Sequence, residues 1–148
     1  MSSRVSASQP ATAVARASLP RAARLLKPAD FKRVFKNNQA TNDRLFRVLA
    51  RANQAGRPRL GMAVSKKVDR TAVGRNRIKR VIRESFRHWV AEKSGGIGID
   101  VVVLPRAAAA SICNHHLFRS LKVHWSRIDT AAGGENRRSD TRTEEIEN

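Results

Sequence analysis

The amino-acid sequence predicts an α/β (α+β) two-layer sandwich, in which three helices pack on a mixed sheet of about four strands. Two stripes of apolar residues at helical spacing, Ile78 to Trp89 and Leu117 to Trp125, flank the β-branched run Ile99-Asp100-Val101-Val102-Val103-Leu104. Upstream of all three, between Arg44 and Arg51, the apolar period drops to two. With 148 residues and 41% hydrophobic content, the chain holds one core and no second domain.

Residues 1–24, rich in Ser, Ala and Arg and without an acid, read as a disordered basic extension. The folded domain is expected over residues 25–128. Lys27-Pro28-Ala29-Asp30 opens a short basic helix that places Phe31, Val34 and Phe35 at helical spacing and ends at Asn37-Asn38. From Arg44 to Arg51, Phe46, Val48 and Ala50 alternate with Leu45, Arg47, Leu49 and Arg51, a strand with one cationic face. The stretch Gln54-Ala55-Gly56-Arg57-Pro58 turns the chain, after which Leu60, Met62 and Val64 alternate with Gly61, Ala63 and Ser65. A hairpin between these two strands is the expected pairing.

A helix follows over Gly74 to Arg87, and past Gly95-Gly96 and Gly98 the Val101-Val102-Val103 run reads as a buried central strand stopped by Pro105. Its expected neighbour is the Leu60 strand. The last helix, Asn114 to Arg127, buries Leu117, Leu121 and Trp125 and opens with His115 and His116 on its exposed side. Residues 129–148, with Gly133-Gly134, mixed charges and little to bury, read as a disordered tail.

The helix from Gly74 carries two incompatible faces. At about 100° per residue, Ile78, Val81, Ile82, Phe86 and Trp89 gather on one stripe, while Asn76, Lys79, Arg80, Arg83 and Arg87 gather on another. One stripe needs a core and the other a polyanion. Net charge is +18, and residues 1–128 alone carry 27 bases against six acids. Self-repulsion on that scale is relieved by a phosphate backbone that sheds counterions on binding, so nucleic acid is the expected partner.

Other classes fall away. The one cysteine, Cys113, excludes an intrachain disulfide or a cysteine metal cluster and fits a reducing, cytoplasmic setting. No apolar run reaches the roughly 20 residues of a membrane span. A protein nuclease needs clustered carboxylates, and Asp30, Asp43, Asp69, Glu84, Glu92 and Asp100 are scattered. No catalytic residue, protein-bound metal or protein partner is expected.

Met62-Ala63-Val64-Ser65-Lys66-Lys67, followed after a short linker by Arg75-Asn76-Arg77-Ile78-Lys79-Arg80 and Arg83-Glu84-Ser85-Phe86, closely resembles the protein component of bacterial ribonuclease P. Asp30-Phe31-Lys32-Arg33-Val34-Phe35, Arg59-Leu60-Gly61 and Val101-Val102-Val103 extend the likeness over about residues 25 to 128. The resemblance implies a protein subunit that helps a catalytic RNA remove the 5′ leader of precursor tRNA, with Mg²⁺ bound mainly by the RNA. It also implies that the Gly74 helix joins two parallel strands by a left-handed crossover, against the usual hand. Arg75, Asn76, Arg77, Lys79, Arg80 and Arg83 would dock the RNA subunit. Phe31, Phe35, Arg47, Lys66 and Lys67 would line the path of the leader, although Leu49 stands where many relatives carry an aromatic. The alternative is a structural RNA-binding protein of the ribosomal type.

Overall fold

The computed structural model describes residues 19–92 and 98–147, with side chains as far as Ala131. Its elements, besides two short 3-10 turns at Arg21–Ala23 and Ala107–Ser111, are α1 (Pro28–Lys36), β1 (Gln39–Asn42), β2 (Phe46–Ala52), β3 (Arg59–Met62), α2 (Ala72–Ala91), β4 (Ile99–Pro105) and α3 (Asn114–Glu147). Pro28 at the first turn and Asp30 beside it start α1, and the Asn38 side chain closes it by donating to Val34 O at 2.6 Å.

The sheet order is β1-β2-β4-β3. β2 pairs antiparallel with both β1 and β4, whereas β3 pairs parallel with β4. The expected hairpin therefore does not form: β4 lies between its two arms, and the Leu60 strand satisfies its alternation against a parallel neighbour instead. The predicted contact between the Val101 run and the Leu60 strand is present, with Leu60 opposite Val101. β1 was not foreseen, since Gln39-Ala40-Thr41-Asn42 has no apolar alternation and needs none at an edge.

One sheet face, bearing Phe46, Val48, Ala50, Leu60, Val101 and Val103, packs with α2 and α3 into the main core. There Trp89 of α2 stacks on Trp125 of α3 with centroids 4.8 Å apart, and Phe86 meets both edge-on. Both indole N–H groups are satisfied, Trp89 donating to Asp129 at 3.1 Å and Trp125 to Ser85 at 2.7 Å. Among the described residues, the other face is covered by α1 and by Leu25 just before it, with Val34 of α1 closing a small second cluster with Leu25, Leu49 and Val102.

The folded part exceeds the expected domain at each end. Leu19, placed by the sequence in the basic extension, is buried in the main core, and Arg24 bridges to Leu60 beside β3. At the other end Asp129 is tied to Trp89, and α3 runs to Glu147 where an unstructured tail was expected. Disorder before Leu19 falls outside the described residues.

A polar cluster fastens α3 to the β1–β2 corner. The wholly buried His124 sets Nδ1 3.0 Å from Thr41 Oγ1, and its Nε2 lies 3.1 Å from Asp43 Oδ2 without the alignment of a hydrogen bond. Burial pushes His124 below the ordinary value of 6.5, and the attraction of Asp43 offsets this only in part. Burial acts to raise the Asp43 carboxyl too, but hydrogen bonds from Ser120 and from the Phe46 and Leu45 amides outweigh it and hold Asp43 below 3.8.

The unfolded chain consequently takes up a proton on His124 at a higher pH than the folded chain does. Stability is therefore full above about pH 6.5, declines as the pH falls below it, and loses the Asp43 contribution below about pH 3.8. Urea midpoints measured across this range check the expectation, with His124→Gln flattening the upper window.

Candidate nucleic-acid interface

The start of α2 is capped from within the chain. Thr71 Oγ1 accepts from the Gly74 amide at 3.0 Å, and Asp69 Oδ1 accepts from both the amide and the hydroxyl of Thr71 at 2.8 Å. A side chain at Gly74 would collide with the Asp69 carboxylate, so glycine leaves room for it. The Thr71 hydrogen bonds, with Arg75 and Arg77 adding to them, hold that carboxylate below its ordinary range. The chain's own cap thus takes the Gly74 amide at this helix end.

The cations of α2 then separate by what they touch. Arg75 donates to the carbonyls of Asp69 and Arg70 at 3.0 and 2.9 Å. Arg77 reaches the other way, to Ala110 O and Ile112 O at 3.1 Å each and to Asn114 Oδ1 at 2.7 Å. Arg87 pairs with Glu84 at 3.1 Å. Among the described residues, the side chains of Lys79, Arg80 and Arg83 make no hydrogen bond or ion pair, and Asn76 and Arg80 are exposed.

Arg83 differs from Arg80 in where it points. It lines a cleft of about 410 Å³ together with Arg24, Leu25, Phe31, Gly61 and Met62. Burial, followed by the like charges of Arg24 and Arg80, makes the Arg83 guanidinium easier to deprotonate than a free one, although it stays charged. Two guanidiniums in one cleft with no acid in its lining favour an anion.

On the α1-covered sheet face, Phe31 is half-buried against the Leu49 cluster while Phe35, one turn on, is 50% exposed. Arg47 is exposed on the same face of β2, opposite Leu104 of β4 and Asn42 of β1. Lys66 and Lys67 stand exposed on the loop from β3 to α2. Leu49 is 1% exposed beneath α1, so a base does not reach it.

The residues expected to dock the RNA subunit thus fall into three places. Asn76, Lys79 and Arg80 share the outward side of α2; Arg83 joins Phe31 in the cleft; Arg75 and Arg77 are committed to backbone carbonyls. Arg24 was missed altogether. It precedes α1 in a stretch that reads as an extension, and only its bridge to Leu60 brings it to the cleft. Among the described residues, no three His, Cys, Asp or Glu side chains gather as metal ligands, and no helix is long and apolar enough to cross a membrane.

Residues 19–129 match the family model described as Ribonuclease P. The ribonuclease P protein component of Methylococcus capsulatus is 43% identical over 115 residues, covering 78% of this chain and 88% of the relative. That of Halorhodospira halophila is 48% identical over 109 residues, covering 72% and 86%. Among solved structures, the Staphylococcus aureus RNase P protein superposes with a TM-score of 0.63 at 36% identity, over 72% of this chain and 94% of that one. The Thermotoga maritima protein gives 0.60 at 30% identity, over 70% and 96%. The matched span runs from Leu19 in the core to Asp129 under Trp89, and the solved relatives share the fold over more than nine-tenths of their own length. The chain therefore belongs to the ribonuclease P protein family, as the protein subunit of a ribonucleoprotein endoribonuclease whose RNA carries the catalysis.

Proposed function

We propose that this subunit holds the 5′ leader of precursor tRNA beside α1 while the outward side of α2 docks the ribonuclease P RNA. The observation that carries the reading is Phe35, an aromatic half out in solvent, one turn from Phe31 and its cleft with Arg83, which has no ion pair among the described residues. Single strands of varied sequence are gripped by aromatic faces and cations, since every base has a π-face and every linkage a charge. Asn76, Lys79 and Arg80 offer the RNA subunit a helix face suited to phosphates. Arg83 belongs with the leader cleft, and Arg47, Lys66 and Lys67 extend the positive surface along which the strand passes.

The Mg²⁺ that hydrolysis uses would be held mainly by the RNA, as the family resemblance implies. The protein's part is to bind and orient. The exposed free thiol of Cys113 suits the cytoplasm, where such a complex would meet its substrate.

A cleavage assay at low Mg²⁺ tests the division of labour: RNA with protein turns over efficiently, and protein alone does not. Phe35→Ala tests the groove. It lowers affinity for leader-bearing precursor by about 1 to 3 kcal/mol, the value of one stacked base, and leaves mature tRNA binding unchanged. Equal losses for the two ligands would remove Phe35 from the leader's path.

A further inference from the structure

We infer that Gly61 is a positioning residue of the leader groove: its bare backbone is the floor on which the Phe31 ring rests, and it sets where that ring meets a base. The inference rests on the groove reading above and adds to it a residue with no side chain of its own.

Gly61 lies in β3 opposite Val102 of β4, on the sheet face that α1 covers. A Cβ built there would fall 2.7 Å from Cε1 and 2.9 Å from Cζ of Phe31, and 3.1 Å from Cδ1 of Leu25. The first two separations are too short for a real contact, so one partner must move. Leu25 is 4% exposed and packed in the second cluster, whereas Phe31 is only partly buried and borders the cleft. The ring is therefore what yields.

Backbone conformation gives no competing reason for glycine. Among the described residues the left-handed glycine is Gly56, with φ 73°, and Gly61 sits in ordinary strand pairing with Val102. A glycine inside a strand costs conformational entropy and packs nothing, so its presence marks a close approach by another group. Here that group is the aromatic ring that the groove offers to the leader.

The cycle of Gly61→Ala, Phe31→Leu and the double variant tests this in the assembled ribonucleoprotein. Affinity is measured for leader-bearing precursor and for mature tRNA, and the Leu25 methyl resonances of the free subunit report the ring's position. Gly61→Ala is expected to move the Leu25 methyl signals and to lower affinity for leader-bearing precursor about 5-fold or more, with mature tRNA unaffected. In the Phe31→Leu background, where the smaller side chain makes room, the same change is expected to do little further.

If Phe31→Leu weakens leader binding while Gly61→Ala leaves it intact, the groove stands and the role of Gly61 is overturned. An equal loss from Gly61→Ala in both backgrounds overturns it too, as strand damage unrelated to the ring. No leader effect from Phe31→Leu overturns this inference, and the groove reading then stands or falls with Phe35→Ala. Should Gly61→Ala alone fail to fold, recovery of the fold in the double variant supports the clash, and failure to recover refutes it.

Discussion

Asp100→Ala costs the folded chain about 3 to 5 kcal/mol, the scale of breaking a buried ion pair on one side. Asp100 is 4% exposed and takes Arg59 in a two-pronged grip, Nε and Nη2 each at 2.8 Å, while Asn53 donates to it at 2.6 Å. These hydrogen bonds, against the opposing effect of burial, keep Arg59 more firmly protonated than a free arginine. Without the carboxylate, Arg59 retains Asp30 of α1, 3.9 Å away, as its one counter-charge among the described residues. Urea unfolding measures the loss.

The same substitution reaches function through α1. Asp30 is held near Arg59, and Arg51 of β2 donates to Arg33 O at 2.8 Å, so the flank of α1 away from the phenylalanines is tethered to the sheet by arginines. Loosening that tether shifts Phe31 and Phe35, and leader-bearing precursor loses affinity before the RNA subunit does. Replacing both partners, as Asp100→Leu with Arg59→Met, recovers most of the stability because the two charges leave together and Asp30 keeps Arg33, 3.7 Å away. A cost below about 1 kcal/mol for Asp100→Ala would show that the pair is solvated rather than buried.

What the sequence made legible is what local periodicity encodes. The apolar stripe of α2, the Val101 strand and the Leu117-Leu121-Trp125 seam each follow from spacing along one segment, and each is found where it was read. Strand pairing is a choice between distant partners. The alternation of Leu60 and Met62 is met equally by an antiparallel arm of β2 or by parallel β4, and nothing in residues 59–62 decides between them. Leu19 looked like part of a tail because its partners, main-core residues such as Phe86, lie far along the chain.

Charge is even less legible than pairing. The guanidinium of Arg77 reads the same whether it faces phosphates or carbonyls, and only the fold brings Ala110, Ile112 and Asn114 to it. Arg83 likewise sits on the basic stripe by angle, yet the cleft with Arg24 and Phe31 is made by α1 and β3 closing beside it.

Arg77 and Arg80, three residues apart in one motif, should therefore separate cleanly under substitution. Arg77→Ala removes three hydrogen bonds that join the start of α2 to the β4–α3 connection, and lowers stability by about 2 to 4 kcal/mol. Arg80, exposed and unpartnered among the described residues, changes stability by no more than about 0.5 kcal/mol on truncation. Binding to the RNA subunit inverts the order. Arg80→Ala reduces the slope of log affinity against log salt by about 0.7 to 0.9, one phosphate contact, whereas Arg77→Ala leaves the slope as it was. Urea midpoints and a salt series on the two variants decide the matter. A slope that falls with Arg77→Ala would mean that its carbonyl contacts give way to phosphate in the complex, and that the helix start is remade on binding.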